Sequence, residues 1–179
     1  SIPGGQNRYG DARGLYVDSD GAIWIARTRQ SDVLKLDTDG NELAAISITG
    51  GEGAEDKNSQ PVDVVVGENG ALYVTDSGTA RLLQLSRSGE LLEAWALAPF
   101  NSVDGAHLAL DREGRVYVTL PEQGTVIRIS ADGTQRQSWL LKTPDNSRAK
   151  PVGIDVDVEG NIWTVDVDGN AVVMIEAGE

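Results

Sequence analysis

Short apolar runs separated by turn residues recur along the chain in groups of four. In one such group the runs are Val62–Val66, Leu72–Thr75, Arg81–Leu85 and Leu91–Leu97. These runs are rich in Val, Leu, Thr, Tyr and Trp, and clusters of Gly, Asp and Ser separate them. No segment shows the i, i+3, i+4 apolar spacing of an amphipathic helix. The pattern therefore predicts β-strands and an all-β fold.

The apolar character of the runs falls from the first to the fourth in each group. Val62–Val66 is apolar except at Asp63, as expected of a strand that is covered on both faces. Val126–Ile129 alternates more clearly, and its Arg128 can reach a wetter face. Such a gradient favours a β-propeller built of four-stranded antiparallel blades, with the first strand of each blade innermost.

The groups form an internal repeat that is marked by a glycine and an aromatic residue. A turn glycine is followed three residues later by Trp or Tyr in four copies. The pairs are Gly21 and Trp24, Gly70 and Tyr73, Gly114 and Tyr117, and Gly160 and Trp163. A period of about 46 residues lies in the range of propellers and solenoids. We expect one propeller domain over residues 1–179, whose repeats span approximately 12–50, 61–99, 105–142 and 151–179.

The fourth repeat resembles the NHL repeat. Its segments Pro151–Asp157 and Glu159–Asp166 follow the pattern P-x-G-I-x-V-D-x-x-G-N-I-Y-V-A-D, and the second repeat matches at Pro61, Gly70 and Leu72–Asp76. The first and third repeats match more loosely. The resemblance covers essentially the whole chain and implies a β-propeller of six blades. It says little about function, because the family includes both enzymes and binding modules.

The number of repeats raises the question of how the propeller closes. Four repeats are visible, and the last stops at Ile175–Glu179 without an outer strand, whereas Ser1–Ile2 looks like the end of an outer strand from a preceding blade. We therefore expect part of a longer propeller. A self-closing four-bladed ring and a ring completed between chains are the alternatives. Exposed edge strands would also permit self-association.

Composition excludes several classes of partner. The formal net charge of −13 would repel a phosphate backbone, so we expect no nucleic-acid partner. The chain has no cysteine, which excludes disulfides, thiolate catalysis and cysteine-based zinc sites. No run approaches about 18 apolar residues, so we expect no direct membrane insertion. Bacterial NHL modules are often found outside the cytoplasm, and this resemblance favours a periplasmic or secreted location.

Residues that begin the inner strands are candidates for a ligand site, because in propellers they line the channel near the loop-bearing face. Gly14, Asp63, His107 and Gly153 occupy this position, seven residues before each turn glycine. NHL repeats usually have Gly there, so Asp63 and His107 depart from the pattern. They could form a polar pair in which Asp63 orients a titrating His107. Alternatively, each satisfies a backbone group of a loop.

A small basic spot is expected near the same face. Arg13 precedes Gly14, and Arg27 and Arg29 lie in the loop after the next strand. Arginines can bind a carboxylate or phosphate through bidentate hydrogen bonds. Equally, these arginines could pair with Asp32 or Asp76. The full set of predicted ligand-binding residues is Arg13, Arg27, Asp63, Asp76, His107 and Asp166.

Three acidic turns raise the question of calcium. Asp18–Gly21, Asp37–Gly40 and Asp166–Gly169 each read D-x-D-G, in which alternate carboxylates can converge on a hard cation. None continues to the full D-x-D-x-D-G loop with its bidentate Glu, and tight turns favour the same residues. We expect no cofactor, and a divalent cation such as calcium is the alternative.

Resemblance to propeller enzymes gives a further test of function. Lactonase and gluconolactonase propellers bind a divalent metal through Glu, Asn and Asp at the starts of inner strands. The corresponding residues here are Arg13, Val62, Ala106 and Val152. None of these is a usual metal ligand.

Streptogramin lyases also resemble this repeat, as Gly21–Trp24 and Leu36–Gly40 show. They and the peptide-amidating lyases use more than one histidine, whereas this chain has only His107. We therefore expect a non-catalytic binding module of a larger protein, which engages a protein, peptide or glycan through its loop-bearing face. A metal-dependent propeller enzyme of lactonase, gluconolactonase or streptogramin-lyase type is the alternative.

Overall fold

The fold is built almost entirely of short antiparallel strands. The computed structural model describes residues 11–48 and 58–176. In this part of the chain the strands are β1 (Ala12–Val17), β2 (Ile23–Arg27), β3 (Asp32–Leu36), β4 (Glu42–Ser47), β5 (Pro61–Val66), β6 (Leu72–Asp76), β7 (Arg81–Leu85), β8 (Leu91–Ala96), β9 (Leu108–Leu110), β10 (Val116–Leu120), β11 (Thr125–Ile129), β12 (Arg136–Leu140), β13 (Pro151–Val156), β14 (Ile162–Asp166) and β15 (Ala171–Ile175). A single 3₁₀ turn, Pro121–Gln123, accompanies them in these ranges.

The strands form four sheets in which chain neighbours pair. The orders are β1-β2-β3-β4, β5-β6-β7-β8, β9-β10-β11-β12 and β13-β14-β15, and all pairings are antiparallel. Each predicted repeat contains one sheet, and the fourth sheet has three strands within the described residues. The prediction of four-stranded antiparallel blades, the last without its outer strand, is confirmed.

Two compact units contain these sheets. Residues 1–102 hold the first two sheets, and residues 103–179 hold the other two. The predicted outer-strand end at Ser1–Ile2 and the end of the last repeat at 177–179 lie outside the described residues. No helix of the described ranges is long and apolar enough to cross a membrane.

The hydrophobic core of the first unit lies between one face of the first sheet and one face of the second. Trp24 and Val33 of the first sheet pack with Val64, Val66 and Leu83 of the second. Val64 and Val66 are two residues apart on β5, so their side chains lie on the same face of the second sheet. The second sheet also shows the predicted gradient, because β5 and β6 are buried along their whole length whereas β8 is largely accessible.

The first strand of the chain departs from this gradient. The first strand of each blade is expected to be innermost, yet Leu15 and Val17 of β1 are 63% and 53% exposed. Both lie on the face of the first sheet that points away from the core shared with the second sheet. Burial of an inner strand therefore requires a sheet on each side, and among the described sheets of this unit only the second packs against the first.

The second unit repeats the arrangement of the first. Tyr117 and Val126 of the third sheet are buried against Ile162 and Ile175 of the fourth. Ile154 and Val156 of β13 pack at the edge of this cluster. The inner strand of the fourth sheet thus covers the third sheet, as β5 covers the first.

A hydrogen bond from the aromatic residue to a turn aspartate explains why glycine and aromatic residues recur together. In the β1–β2 turn, Asp18 Oδ1 accepts the backbone N–H groups of Asp20 and Ala22, and its Oδ2 accepts the indole N–H of Trp24 at 2.9 Å. Gly21 has a φ of 81°, in the left-handed region that the tight turn requires. Burial alone would raise the pKa of Asp18, but these hydrogen bonds outweigh it and hold the pKa below its ordinary value.

The third and fourth sheets contain the same turn. The Tyr117 hydroxyl donates to Asp111 at 2.9 Å, and the Trp163 indole donates to Asp157 at 2.8 Å. The second sheet has Gly67 where the others have aspartate, and its Tyr73 hydroxyl instead accepts a hydrogen bond from Gln84. The repeated aromatic residue therefore fixes the turn as well as filling the core.

The first aspartate of each of the other D-x-D-G motifs also accepts backbone N–H groups. Asp37 accepts the backbone N–H groups of Asp39 and Asn41, as Asp18 does in its own turn, and Asp166 accepts the N–H of Lys150. In the ranges that the structure describes, no group of three or more acidic or histidine side chains could hold a metal ion. The absence of a cofactor stays a prediction, with calcium as its alternative.

The hydrogen bonds of the Asp157 turn make the stability of the folded chain depend on pH, and this dependence can be measured. Hydrogen bonds from Trp163 and Asn161 lower the pKa of Asp157 to about 2. Because this pKa lies below the ordinary value of about 3.9, the stabilisation is fully present above about pH 4 and is lost as the pH falls through about 2. Trp163→Phe removes a donor and raises the pKa, so the variant should lose less stability on acidification than the wild-type chain.

Urea denaturation at neutral pH and at about pH 3 measures this difference. Tyr73→Phe is the matched control, because its hydroxyl bonds to Gln84 rather than to a carboxylate. Equal acid dependence in the wild-type chain and Trp163→Phe would contradict the assignment.

Candidate functional site

A polar cleft of about 440 Å³ lies in the first unit, where β1 begins, β2 ends and the chain approaches β5. Its lining residues are Asp11, Arg13, Thr28, Arg29, Ser31, Asn58, Ser59, Gln60 and Ser102. We call it the Arg13 cleft. The β2–β3 loop and the segment before β5 both contribute, and the sequence predicts these kinds of loop to carry the ligand-binding face.

Two arginines give the Arg13 cleft its positive charge. The Arg29 side chain is 84% exposed, and its Nε lies 3.4 Å from Asp11 Oδ1. Arg13 is also exposed, and among the described residues the structure gives its side chain no hydrogen bond or ion pair. The predicted basic spot is therefore formed by Arg13 and Arg29, and both guanidinium groups are accessible to a ligand.

Hydroxyl groups tie the walls of the cleft together. Thr28 donates to the Pro61 carbonyl at 2.8 Å, and Ser31 donates to the Ser59 carbonyl at 2.6 Å. Each bond starts from the β2–β3 loop of the first sheet; one reaches Ser59 in the segment before β5, and the other reaches Pro61, the first residue of β5. The lining backbone is thus fixed before any ligand arrives, which reduces the ordering cost of binding.

Asp76 anchors the segment that forms one wall. Its Oδ1 accepts the N–H groups of Gln60 at 2.7 Å and Gly78 at 3.0 Å. Its Oδ2 accepts the hydroxyls of Ser59 at 2.7 Å and Thr79 at 2.6 Å. The Asp76 side chain is fully buried. One carboxylate therefore holds both the β6–β7 loop and the approach to β5.

Asp166 takes the equivalent place in the fourth sheet. It is buried and accepts the N–H of Lys150, the residue before β13, at 2.8 Å. The sequence predicts both Asp76 and Asp166 to contact a ligand. In this structure their contacts are with the protein's own loops, and ligand contact stays a prediction for both.

Arg27 does not line the cleft. Its Nε and Nη2 donate to the two oxygens of Asp32 at 2.7 Å and 2.5 Å, and both side chains are largely buried. The two residues face each other across β2 and β3. Of the two alternatives given for Arg27, pairing with Asp32 is the one found. Arg27 makes its bidentate hydrogen bonds to Asp32 within the sheet.

Asp63 and His107 occupy equivalent places in two sheets. The Asp63 N–H donates to Thr75 Oγ1 at 3.1 Å, and the His107 N–H donates to Thr119 Oγ1 at 2.9 Å. Asp63 is buried beside Gly14, and its carboxylate accepts the N–H of Val64. The two residues belong to different compact units, so their predicted pairing stays a prediction.

Comparison with known families matches residues 7–179 to the virginiamycin B lyase family. This chain belongs to the virginiamycin B lyase family. It is similar to the structure of a catalytically inactive H270A virginiamycin B lyase from Staphylococcus aureus with quinupristin, at 17% identity and a TM-score of 0.70 over 97% of this chain. It is also similar to a streptogramin B lyase structure, at 20% identity and a TM-score of 0.67 over 99% of this chain.

A further relative is peptidyl-alpha-hydroxyglycine alpha-amidating lyase 1 of Drosophila melanogaster. It is 29% identical over 103 residues, which are 55% of this chain and 19% of that protein. The chain likewise spans 58% of each of the two lyase structures. The structural likeness confirms the β-propeller fold. The NHL type of the repeat and the number of six blades stay predictions.

Sequence reasoning missed part of the cleft in this virginiamycin B lyase family member. Ser31, Ser102 and 58–60 line it, and they fall within the loops 27–32, 50–60 and 98–105 that the sequence predicts for the ligand-binding face, but the sequence did not single them out as site residues. Asn58–Gln60 ends the long connection between the first two sheets, where the repeats differ most in length. Ser59 near the end of this connection is a weak signal, because serine is ordinary in loops.

Proposed function

We propose that this chain binds a peptide-like ligand bearing a free carboxylate at the Arg13 cleft. The observation that carries the proposal is the pair of accessible guanidinium groups, Arg13 and Arg29, at a preformed cleft in a chain of formal charge −13. The surrounding charge disfavours an anion elsewhere on the protein. Asp11 also lines the cleft and lies 3.4 Å from Arg29, so two arginines and one carboxylate leave a net positive charge there, and a ligand carboxylate would be held beside Arg13.

The geometry of the cleft suits a short peptide. Its volume of about 440 Å³ lies in the usual range of small-ligand sites. Asn58 and Gln60 carry amide groups that can donate to and accept from a peptide backbone, and the exposed guanidinium groups can hold its carboxylate bidentately. The names of two relatives support the peptide class, since one is a peptidyl-alpha-hydroxyglycine lyase and another was solved with quinupristin. Of the predicted protein, peptide and glycan partners, we thus favour the peptide.

The proposal predicts that Arg13 is needed for binding. Isothermal titration calorimetry with N-acetylated tripeptides should show binding when the C-terminus is a free carboxylate and much weaker binding when it is amidated. Arg13→Ala should weaken binding about tenfold or more, because a charge-assisted hydrogen bond is lost. Arg13→Lys should recover only part of the affinity, since lysine lacks the planar fork.

Arg112→Ala is the matched control, because it removes an arginine that is also exposed but lies outside the cleft. Equal affinity for the free and amidated peptides, or equal loss in the Arg13→Ala and Arg112→Ala variants, would overturn the proposed function.

Membership of a lyase family favours a second candidate function, in which the propeller that contains this chain breaks a bond in a peptide-like substrate. The S. aureus relative is inactive as its H270A form, so a histidine matters in that enzyme. His107 is the only histidine of this chain. Mass spectrometry of quinupristin, and of a peptidyl-alpha-hydroxyglycine, after incubation with the chain tests this function. Product formed by the wild-type chain and lost in His107→Ala would favour a lyase over the non-catalytic module that the sequence predicts.

A further inference from the structure

The walls of the Arg13 cleft are polar throughout. In the part of the chain that the structure describes, no aliphatic or aromatic residue lines it. Burial of an apolar side chain is favourable where other apolar groups replace the water around it, and this cleft offers no such side chain. A ligand side chain that enters the cleft therefore gains affinity mainly through hydrogen bonds or charge.

Three hydroxyl groups of the cleft can act towards a ligand only as hydrogen-bond acceptors. A serine or threonine hydroxyl has one proton to donate and two lone pairs with which to accept. Thr28 donates its proton to the Pro61 carbonyl, and Ser31 donates to the Ser59 carbonyl. Ser59 in turn donates to the Asp76 carboxylate. Because carbonyl and carboxylate oxygens only accept, the chemistry fixes the direction of each bond and leaves only lone pairs for a ligand.

These three hydroxyls, which we call the acceptor wall, lie close to Arg13. The Thr28 N–H donates to the Asp11 carbonyl at 3.2 Å, and Asp11 is two residues before Arg13. The Asp11 carboxylate adds a further acceptor beside Arg29. Thr28 and Ser59 are only 8% and 1% exposed, so packing holds them in place before a ligand binds. Such preorganisation spares part of the ordering cost of binding.

We propose that the peptide bound at the Arg13 cleft ends in a residue whose side chain donates hydrogen bonds, such as threonine, serine or asparagine. This inference rests on the proposed function, because the carboxylate held beside Arg13 brings the side chain of the same residue to the acceptor wall. A valine or leucine side chain there would displace water from the acceptors and give them no donor in return. Hydrogen bonding rather than apolar contact thus selects the C-terminal residue.

Isothermal titration calorimetry with four N-acetylated tripeptides tests the selection. Each peptide has two glycines and a free carboxylate, and the last residue is threonine, valine, asparagine or leucine. Threonine and valine have the same shape, and asparagine and leucine are nearly isosteric, so each pair differs mainly in hydrogen bonding. The threonine peptide should bind about fivefold more tightly than the valine peptide. The asparagine peptide should bind about tenfold more tightly than the leucine peptide, because its amide has two N–H donors.

A fifth tripeptide separates hydrogen-bond donation from polarity. O-Methylserine is an isomer of threonine that keeps the side-chain oxygen but has no O–H to donate. The peptide that ends in O-methylserine should bind as weakly as the valine peptide. If it binds as tightly as the threonine peptide, the cleft does not select a donor and the proposal is overturned.

Two substitutions test whether the acceptor wall causes the selection. Thr28→Val and Ser31→Ala each remove one acceptor, so the preference for the threonine peptide over the valine peptide should fall at least about twofold in one or both variants. A merely structural effect would weaken both peptides alike and leave their ratio unchanged. Ser77→Ala is the matched control, because the Ser77 hydroxyl also donates to a carbonyl, that of Gln60 at 3.1 Å, but does not line the cleft.

The outcomes separate this proposal from the proposed function. Equal binding of the threonine and valine peptides, weakened alike by Arg13→Ala, would overturn the selection and leave the carboxylate site in place. A preference that is unchanged in both Thr28→Val and Ser31→Ala would likewise overturn the role of the acceptor wall. If no peptide binds more tightly than its amidated form, the proposed function fails and the selection fails with it.

Discussion

Asp76→Ala should lower the free energy of unfolding by about 3 to 5 kcal/mol, because it leaves several buried donors without an acceptor. The carboxylate accepts two backbone N–H groups and two hydroxyls, and the side chain is fully buried. Asp76→Asn keeps one oxygen acceptor and should cost about 1 to 2 kcal/mol. Equilibrium denaturation in urea measures both changes.

Asp39→Ala is the control for Asp76→Ala, since it removes the same charge from an exposed turn. Its effect should stay within about 0.5 kcal/mol. Because Ser59 and Gln60 line the Arg13 cleft, the Asp76→Ala variant should also bind the carboxylate tripeptide more weakly at temperatures where it is folded. Equal stability of the Asp76→Ala and Asp39→Ala variants would show that Asp76 does not anchor the cleft wall.

Gly78→Ala should destabilise the chain by about 3 kcal/mol, because the added methyl group has no space. A Cβ at Gly78 would lie 1.6 Å from the Asn58 carbonyl oxygen and 3.1 Å from the Gln60 nitrogen. Both atoms are backbone atoms, so the segment that Asp76 anchors would have to move. Thermal unfolding measures the loss, and amide chemical shifts at 58–60 locate it.

Gly153→Ala is the matched control for Gly78→Ala. The nearest atom to its added Cβ would be Val165 Cγ2 at 4.0 Å, which is ordinary contact. Neither glycine has the left-handed φ that strains other residues, so the two substitutions differ mainly in the space available. If Gly78→Ala were as stable as Gly153→Ala, the close approach of the two loops would be wrong.

The sequence predicts most of the fold because the repeat constrains each sheet separately. Alternation of apolar residues locates the strands, and turn glycines separate them. The recurring spacing of Gly21 and Trp24 can be recognised from the sequence alone. The hydrogen bond from Trp24 to Asp18 explains why the aromatic residue recurs at that distance from the glycine. The exposure of Leu15 and Val17 in β1 could not be predicted, because periodicity reports which face of a strand is apolar but not whether another sheet covers it.

The candidate site could be predicted only in part, because an aspartate or arginine in a loop can bind a ligand or can bind the protein's own loops and strands. Asp76 and Asp166 stand at the ends of β6 and β14 and look accessible in the sequence, yet backbone donors from distant segments bind them. Arg27 and Arg13 look alike in the sequence, but Asp32 lies opposite Arg27 across two paired strands. Asn58–Gln60 has no repeat signal, and only folding brings it beside Arg13.

The central claim is that a carboxylate peptide binds at the Arg13 cleft, and nuclear magnetic resonance of the ¹⁵N-labelled chain tests it most directly. Titration with an N-acetylated tripeptide should shift the Arg13 Nε–H signal together with the backbone amides of 28–31 and 58–60, and Arg13→Ala should abolish these shifts. Shifts confined to residues outside the cleft, or unchanged by Arg13→Ala, would contradict the account.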